Sequence, residues 1–219
     1  HGVLRVAELQ TEGRGRRGDR WLAAPGGSVC LSLGWRFDIA PPDLPATGLV
    51  VGIAAAEALT GLTGVPVEVK WPNDLVVAGR KLGGILVELK GELEGPCTVI
   101  IGMGLNVKVG VTLRDAVHRP LTDLKAEGAM HDRNEVIGAV MNALIPALET
   151  FAEMGFAPFH ARWPEFDGLA GRRVRIAPIR DHGAAVEGTA AGVGAGGALM
   201  VVTARGETPV FAGHVELVE

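Results

Sequence analysis

The chain has 219 residues, 47% of them hydrophobic, and a mean hydropathy of +0.27. These values suit a globular protein with one large domain, or a medium and a small one, and exclude an intrinsically disordered chain. The net charge of −4 argues against a protein whose main affinity is for nucleic acid, because such domains usually carry a basic surface. Cys30 and Cys97 lie in apolar stretches, which predicts two buried, reduced thiols and a cytoplasmic protein.

The first half of the chain combines predicted strands with one apolar helix. Strands are predicted at 3–9, 29–35, 67–71, 75–78, 81–90 and 98–107. Residues 44–62 are almost entirely apolar, but they include Thr47, Glu57 and several glycines. We therefore predict a helix packed inside the protein, not a membrane span.

The second half begins with a long predicted helix at 134–154, with Asn134 as a possible cap and Pro146 expected to kink or divide it. Near Asp167 the sequence changes to short apolar runs separated by glycines and polar turns, which is typical of a small all-β module. This predicts domains at 1–167 and 168–219. The first domain lacks regular βαβ alternation, so we expect an α+β fold with a mixed sheet flanked by helices.

The segment GRGRRG, residues 13–18, matches the G-x-G-x-x-G pattern. A dinucleotide-binding fold is disfavoured, because the residues that follow break any helix within a few positions. Glycines allow a close approach of backbone and ligand, and the guanidinium groups of Arg14, Arg16 and Arg17 match phosphate or carboxylate oxygens. The segment predicts an anion site, with a solvated flexible loop as the alternative.

Three further segments combine charged or amide side chains with glycines. They are KWPNDL at 70–75, RKLGGILVE at 80–88 and GMGLNV at 102–107. Glycine within a strand often marks a close approach of a ligand. Each segment alone is weak evidence, but together they predict a glycine-lined slot for a flat ligand, with cations and amides at its rim.

These four segments, in this order and with Trp21 after the first, resemble the biotin protein ligases over residues 3 to about 165. The C-terminal module resembles the SH3-like domain of that family. The resemblance implies a class II synthetase-like α+β fold with a small C-terminal SH3-like β-barrel. It also implies an ATP-dependent, adenylate-forming enzyme: biotin and ATP form biotinyl-5′-AMP in the presence of Mg²⁺. Biotin then passes to a lysine of a biotin carboxyl carrier protein domain of a biotin-dependent carboxylase.

The resemblance also assigns roles to individual residues. Lys81 matches the essential lysine that contacts the biotin carboxylate and the phosphate, and Arg16 matches the arginine that retains the adenylate. The positions implied to bind biotin are Gln10, Gly13, Arg14, Gly84, Leu86, Gly102 and Gly104. The positions implied to bind ATP or the adenylate are Arg16, Arg17, Trp21, Asn73, Asp74, Lys81 and Asn106. The family implies a possible homodimer; no membrane and no DNA are expected as partners of this chain, which shows no helix-turn-helix segment.

The sequence departs from the family pattern in two places. Asp19 stands where an arginine is usual, and it should weaken anion binding unless Arg17 or Arg20 compensates. The upstream Ser/Thr-Thr-Asn segment that hydrogen-bonds biotin is missing, and we expect that it was left out of this sequence. Three alternatives stay open: a lipoate or octanoate ligase of the same fold, a binding module that has lost turnover, and an RNA-binding module built on GRGRRG.

Overall fold

The protein is built on two antiparallel sheets, as seen in a computed structural model that describes residues 1–41, 43–91, 96–117, 120–178 and 184–218. Side chains at positions 17, 111 and 112 lie outside that description. The first sheet has the order β1-β2-β6-β5-β4-β3. Its strands are β1 (Val3–Ala7), β2 (Ser28–Phe37), β3 (Glu68–Lys70), β4 (Asp74–Val77), β5 (Arg80–Gly91) and β6 (Cys97–Asn106).

The helices of the described residues lie mainly between and after the strands of the first sheet. They are α1 (Thr47–Thr63), α2 (Val111–Ala116), α3 (Arg133–Met154) and α4 (Ala157–Arg162), with 3-10 turns at Arg16–Gly18, Leu44–Ala46 and Trp163–Glu165. By length and composition alone, Leu44–Thr63 and Arg133–Met154 could each cross a membrane, but 61% of the apolar window of the first is buried inside the protein. The prediction of a packed apolar helix is confirmed.

The two faces of the first sheet differ in side-chain size. Ile85 and Met103 face each other in the register of β5 and β6, and Ile85 points at Gly52 of α1. Phe37 of β2 contacts Phe151 of α3 ring to edge, with centroids 6.0 Å apart. Helices α1 and α3 therefore cover one face of the sheet with a continuous apolar core, and burial of this face supplies the main driving force for folding.

The opposite face carries small residues at its centre. In the register of β2, β6 and β5, Cys30 pairs with Gly104, which pairs with Gly84. The next row along consists of Ser32, Gly102 and Leu86. Because successive side chains of a strand point to opposite faces, the two glycines of β6 lie on the face away from α1. At the centre of this face, which we call the bare face, β6 therefore contributes no side chains.

The long helix α3 differs in detail from the sequence prediction. Its N-cap is Asp132, not Asn134: the Asp132 carboxylate accepts from the backbone N–H groups of Asn134 and Glu135 at 2.7 and 2.9 Å. The Glu135 carboxylate in turn accepts from the Asp132 N–H at 2.8 Å, which completes a capping box. Pro146 lies inside the helix and does not divide it.

The second sheet has the order β10-β9-β8-β7-β11. Its strands are β7 (Arg173–Ala177), β8 (Val186–Val193), β9 (Leu199–Thr203), β10 (Gly206–Val210) and β11 (His214–Leu217). The Trp71 indole N–H donates to the carbonyl of Gly197, in the turn between β8 and β9, at 3.0 Å and so links the first sheet to the second. The Val69 N–H donates at 2.7 Å to the carbonyl of Phe166, which precedes the second sheet. Among the described strands the pairing does not close into a barrel, and the domain boundary at 167/168 stays a prediction.

One expectation about the first sheet is wrong: its strands are not mixed in direction. Every pair of named strands is antiparallel, and parallel pairing is confined to the isolated bridges Val69–Asp167 and Lys81–Leu121. The reason is that α1 connects β2 to β3 across the sheet, so this helical crossover does not join neighbouring strands. Both cysteines are buried and free, as predicted.

Candidate functional site

A cavity of about 410 Å³ lies over the bare face of the first sheet, and we call it the floor cavity. Gly84, Gly102 and Gly104 form its floor together with Leu86, and the arginine–glycine loop forms one wall. The segment Lys70–Asp74 forms the facing wall, and Gly213, His214 and Val215 of the second sheet contribute to its edge. The cavity therefore combines a floor made mainly of glycines and a rim of charged and amide groups.

Lys81 is the central cation of the site. Its Nζ lies 2.5 Å from Oδ1 of Asp74, and the two side chains are 15% and 23% exposed. Its backbone is fixed as well, because the Lys81 N–H donates to the Pro120 carbonyl at 3.0 Å and the Lys81 carbonyl accepts from the Thr122 N–H at 2.9 Å. Lys81 is therefore held at both its main chain and its charged end.

The arginine–glycine loop is tied to both sides of the floor cavity. Nη1 of Arg16 donates to Oδ1 of Asn73 at 3.2 Å, and Nη2 of Arg14 lies 3.2 Å from Oε2 of Glu88. Asn73 is itself fixed, because its Nδ2 donates to the Ile85 carbonyl at 2.8 Å. The loop thus closes over the cavity through side-chain hydrogen bonds, and a competing anion could draw either guanidinium group away from its present partner.

Trp21 lies directly against the glycine floor. A Cβ placed on Gly104 would come within 2.5 Å of Cζ2 and 2.7 Å of Nε1 of the indole, so only glycine fits beneath it. The indole also lies near Lys81, whose Nζ is 6.0 Å from the ring centroid. Beside Gly104, burial raises the pKa of the Cys30 thiol above its usual range and outweighs the opposing effect of Trp21. Cys30 is therefore a poor candidate for a nucleophile at neutral pH.

A second cavity of about 230 Å³ adjoins the first, and we call it the side cavity. It shares Arg20, Trp21 and Lys81 with the floor cavity. Its other lining residues are Leu22, Asn106, Leu113, Ala116, Val117 and Leu121. Lys81 and Trp21 therefore lie where the floor cavity, with its charged rim, meets a side cavity that has an apolar wall of Leu113, Val117 and Leu121.

The floor cavity brings together most of the residues singled out from the sequence. They are Gln10, Arg14, Arg16, Trp21, Asn73, Asp74, Lys81, Gly84, Leu86, Gly102 and Gly104. Asn106 lies in the side cavity, 5% exposed, where its Nδ2 donates to the Thr122 carbonyl at 3.1 Å. Gly13 does not line the described part of either cavity; its carbonyl accepts from the Trp21 N–H at 2.9 Å. The side chain of Arg17 lies outside the described residues.

Several lining residues escaped the sequence reasoning. Leu113, Val117 and Leu121 belong to a stretch without a glycine or charge motif, and their role as a cavity wall follows only from the fold. His214 was not assigned a role, because nothing in the sequence indicates that β11 reaches the floor cavity. Within the described part of the chain, no group of three or more histidine, cysteine, aspartate or glutamate side chains could hold a metal ion.

The geometry suits a reaction between two anionic groups. An anion in the floor cavity and one in the side cavity would meet beside Lys81, within reach of the guanidinium groups of the loop. Positioned cations offset the repulsion between such groups in the transition state without any proton transfer. The two cavities and the cations between them therefore suit a reaction between two anionic groups.

Comparison with known proteins agrees with this geometry. Residues 1–106 match the model of the biotin/lipoate A/B protein ligase family. The chain is 35% identical over 212 residues to the bifunctional ligase/repressor BirA of Salmonella typhimurium, a match that covers 97% of this chain and 65% of BirA. It is 31% identical over 165 residues to the biotin–[acetyl-CoA-carboxylase] ligase of Paracoccus denitrificans, covering 72% of this chain and 68% of that protein.

Among solved structures, the biotin protein ligase from Aquifex aeolicus in complex with biotin and ATP superimposes with a TM-score of 0.81 at 28% identity. The match covers 98% of this chain and 88% of that structure. The chain spans slightly less than two thirds of the length of the Salmonella BirA.

Proposed function

The chain belongs to the biotin protein ligase family, and on that premise we propose that it activates biotin with ATP and transfers the biotin to a lysine of a carrier protein. The observation that carries this proposal is the position of Lys81 at the junction of the floor and side cavities. A ligase that joins two anionic substrates needs a cation at that point.

Biotin is assigned to the floor cavity and the nucleotide to the side cavity. At Gly102 the floor carries no Cβ atom, which leaves room for a fused ring system beside the Trp21 indole that lies on Gly104. Gln10 and Arg14 supply polar groups at the rim. The apolar wall formed by Leu113, Val117 and Leu121 suits a purine base. The solved Aquifex relative contains both biotin and ATP, which supports a site for each.

The reaction then takes two steps. A carboxylate oxygen of biotin attacks the α-phosphorus of ATP, the bond to the β-phosphate oxygen breaks, and pyrophosphate leaves. The lysine amine of the carrier domain attacks the carboxyl carbon of biotinyl-5′-AMP, loses a proton, and AMP leaves. Lys81 and Arg16 hold the two reacting anions together in the first step and retain the adenylate until the second. Mg²⁺ enters as the MgATP substrate, an arrangement that needs few protein ligands.

Other parts of the proposal concern the whole protein. We assign residues 1–167 to the biotin- and ATP-binding domain and 168–219 to a module of the SH3-like type, supported by its short antiparallel strands. The carrier is a biotin carboxyl carrier domain of acetyl-CoA carboxylase or a similar carboxylase, in keeping with the name of the Paracoccus relative. A cytoplasmic location suits the two free thiols. We also propose a homodimer, which sedimentation would test.

The test is a biotin-dependent exchange between ATP and labelled pyrophosphate, with lipoate and octanoate as competing acids. Two glycine variants identify the biotin site. A Cβ at Gly102 would be 3.6 Å from the Leu86 carbonyl oxygen, so Gly102→Ala fits the protein but places a methyl group in the floor cavity. Gly34→Ala is the matched control, because its Cβ meets only the Val3 carbonyl at 3.8 Å and lies outside the described lining of the cavity.

We expect exchange with biotin and not with the other two acids. We also expect Gly102→Ala to raise the biotin KM by about tenfold, in line with the cost of ~1–3 kcal/mol for an added methyl group, while Gly34→Ala changes it little. Exchange that depends on lipoate or octanoate would indicate a lipoate or octanoate ligase instead. No exchange with any acid, despite biotin binding, would indicate a binding module.

A further inference from the structure

The segment from Pro120 to Glu127 joins Lys81 to the side cavity. It pairs with the backbone of Lys81 through Pro120 and Thr122, as described above, and it continues along the end of β6. There the Leu124 N–H donates to the Asn106 carbonyl at 3.1 Å and the Lys125 N–H donates to the Val107 carbonyl at 3.0 Å. The segment is therefore hydrogen-bonded to the two strands that carry the candidate site.

Asp123 is the charged centre of this segment. Its side chain is 4% exposed, and its carboxylate accepts from the backbone N–H groups of Val109 and Ala126 at 3.0 and 2.8 Å. The same carboxylate forms an ion pair with Arg114 of α2. A buried carboxylate is costly unless it is paired and hydrogen-bonded, and here each of its oxygens has a partner.

Arg114 links the Asp123 carboxylate to the wall of the side cavity. Its guanidinium group bonds to Asp123 and, through Nη1, to the Leu121 carbonyl at 3.4 Å. Helix α2 has only six residues, too few to be stable by its own hydrogen bonds. Its Leu113 and Ala116 line the side cavity together with Leu121. The position of this wall relative to Lys81 therefore depends on the contact between Arg114 and Asp123.

We propose that Asp123 is a positioning residue for adenylate formation: through Arg114, it holds α2 against the segment that fixes Lys81 and so shapes the nucleotide site. This inference rests on the proposed function. It predicts that loss of the ion pair weakens the use of ATP selectively, because neither Asp123 nor any described side chain of α2 lines the floor cavity.

The experiment compares Asp123→Asn and Arg114→Gln with the unaltered protein in the pyrophosphate-exchange assay, and determines KM for ATP and for biotin separately. Glu57→Gln is the matched control. Glu57 holds Arg162 of the six-residue helix α4 through bonds of 2.8 and 3.2 Å, and both residues lie outside the described linings of the two cavities. Circular dichroism checks that each variant is folded, and Arg114→Gln, with a half-buried side chain, serves if Asp123→Asn does not fold.

We expect the KM for ATP to rise by about tenfold or more in both variants, as for loss of a hydrogen bond to a charged group, while the KM for biotin stays within about twofold. The KM for ATP of the double variant should not exceed the higher of the two single-variant values, because both substitutions remove the same ion pair. Glu57→Gln should leave both KM values unchanged. Equal effects on the two substrates, or none, in an otherwise active protein would overturn the inference alone. If the unaltered protein shows no exchange, the proposed function fails and the inference fails with it.

Discussion

Replacing Lys81 by methionine tests the candidate site most directly. The substitution keeps an unbranched side chain of similar length and removes the ammonium group, with its charge and its hydrogen bond to Asp74. If Lys81 offsets the repulsion between a carboxylate and the α-phosphate, its loss should slow adenylate formation by about 10²–10³-fold.

The competing explanation, loss of folded protein, can be weighed from the structure. The substitution leaves Asp74 without the ion pair of 2.5 Å, but both side chains are partly exposed at 15% and 23%. Such a pair lies between an exposed one, worth about 0–1 kcal/mol, and a fully buried one, whose breakage costs about 3–5 kcal/mol. A loss of about 2 kcal/mol from a stability of about 5–15 kcal/mol leaves at least ~99% of the molecules folded. Unfolding therefore cannot account for a hundredfold loss of activity.

The assay is pyrophosphate exchange, with Lys108→Met as the control, since Lys108 is exposed and lines neither cavity in the described residues. Thermal unfolding of both variants is measured in parallel. A Lys81→Met protein that is folded and exchanges pyrophosphate within about threefold of the unaltered rate would refute the electrostatic role.

Two further predictions concern retention of the intermediate and the effect of pH. Arg16→Gly removes the hydrogen bond to Asn73 that closes the loop, so biotinyl-5′-AMP should escape and label lysines of a bystander protein such as serum albumin; retention equal to that of the unaltered protein would contradict this. Burial raises the pKa of the Asp167 carboxyl, although the Leu169 N–H that donates to it at 2.9 Å opposes the shift. The contribution of Asp167 to the free energy of unfolding is therefore largest below about pH 4, and it falls as the pH rises through the raised pKa. The side-chain amide oxygen introduced by Asp167→Asn can still accept from the Leu169 N–H but does not titrate. Urea unfolding between pH 4 and 7 should therefore show a smaller decline in the free energy of unfolding for this variant. An equal decline in both proteins would argue against a raised pKa of Asp167.

The parts of the site that could be predicted from the sequence are those built from local patterns. Glycines inside apolar strands indicated a bare floor, and Gly84, Gly102 and Gly104 do lie on one face, because strand alternation fixes which residues share a face. The charged rim was predicted because glycines allow a close approach of a ligand and guanidinium groups match anionic oxygens. The floor cavity contains Arg14 and Arg16 as well as Lys81.

The parts that could not be predicted depend on contacts between distant segments. Nothing near Lys81 in the sequence indicates that its backbone pairs with Pro120 and Thr122, and nothing in β11 indicates that His214 reaches the cavity edge. The strand directions were also mispredicted, because neighbour relations in a sheet depend on where α1 returns the chain. The cap of α3 was missed by two residues, since both Asp132 and Asn134 have capping side chains.

The separation between the uncharged floor and the charged rim has a practical consequence for engineering. Leu86 lies opposite Gly102 on the floor, in the row of the sheet next to the Gly84–Gly104 pair that lies under Lys81 and Trp21. A smaller residue in place of Leu86 would create room for ligands with an added substituent, while a larger residue in place of Gly102 would favour smaller ligands. If biotin binds on the floor as proposed, these two positions would set which substituted biotins are accepted, with the cationic groups left intact.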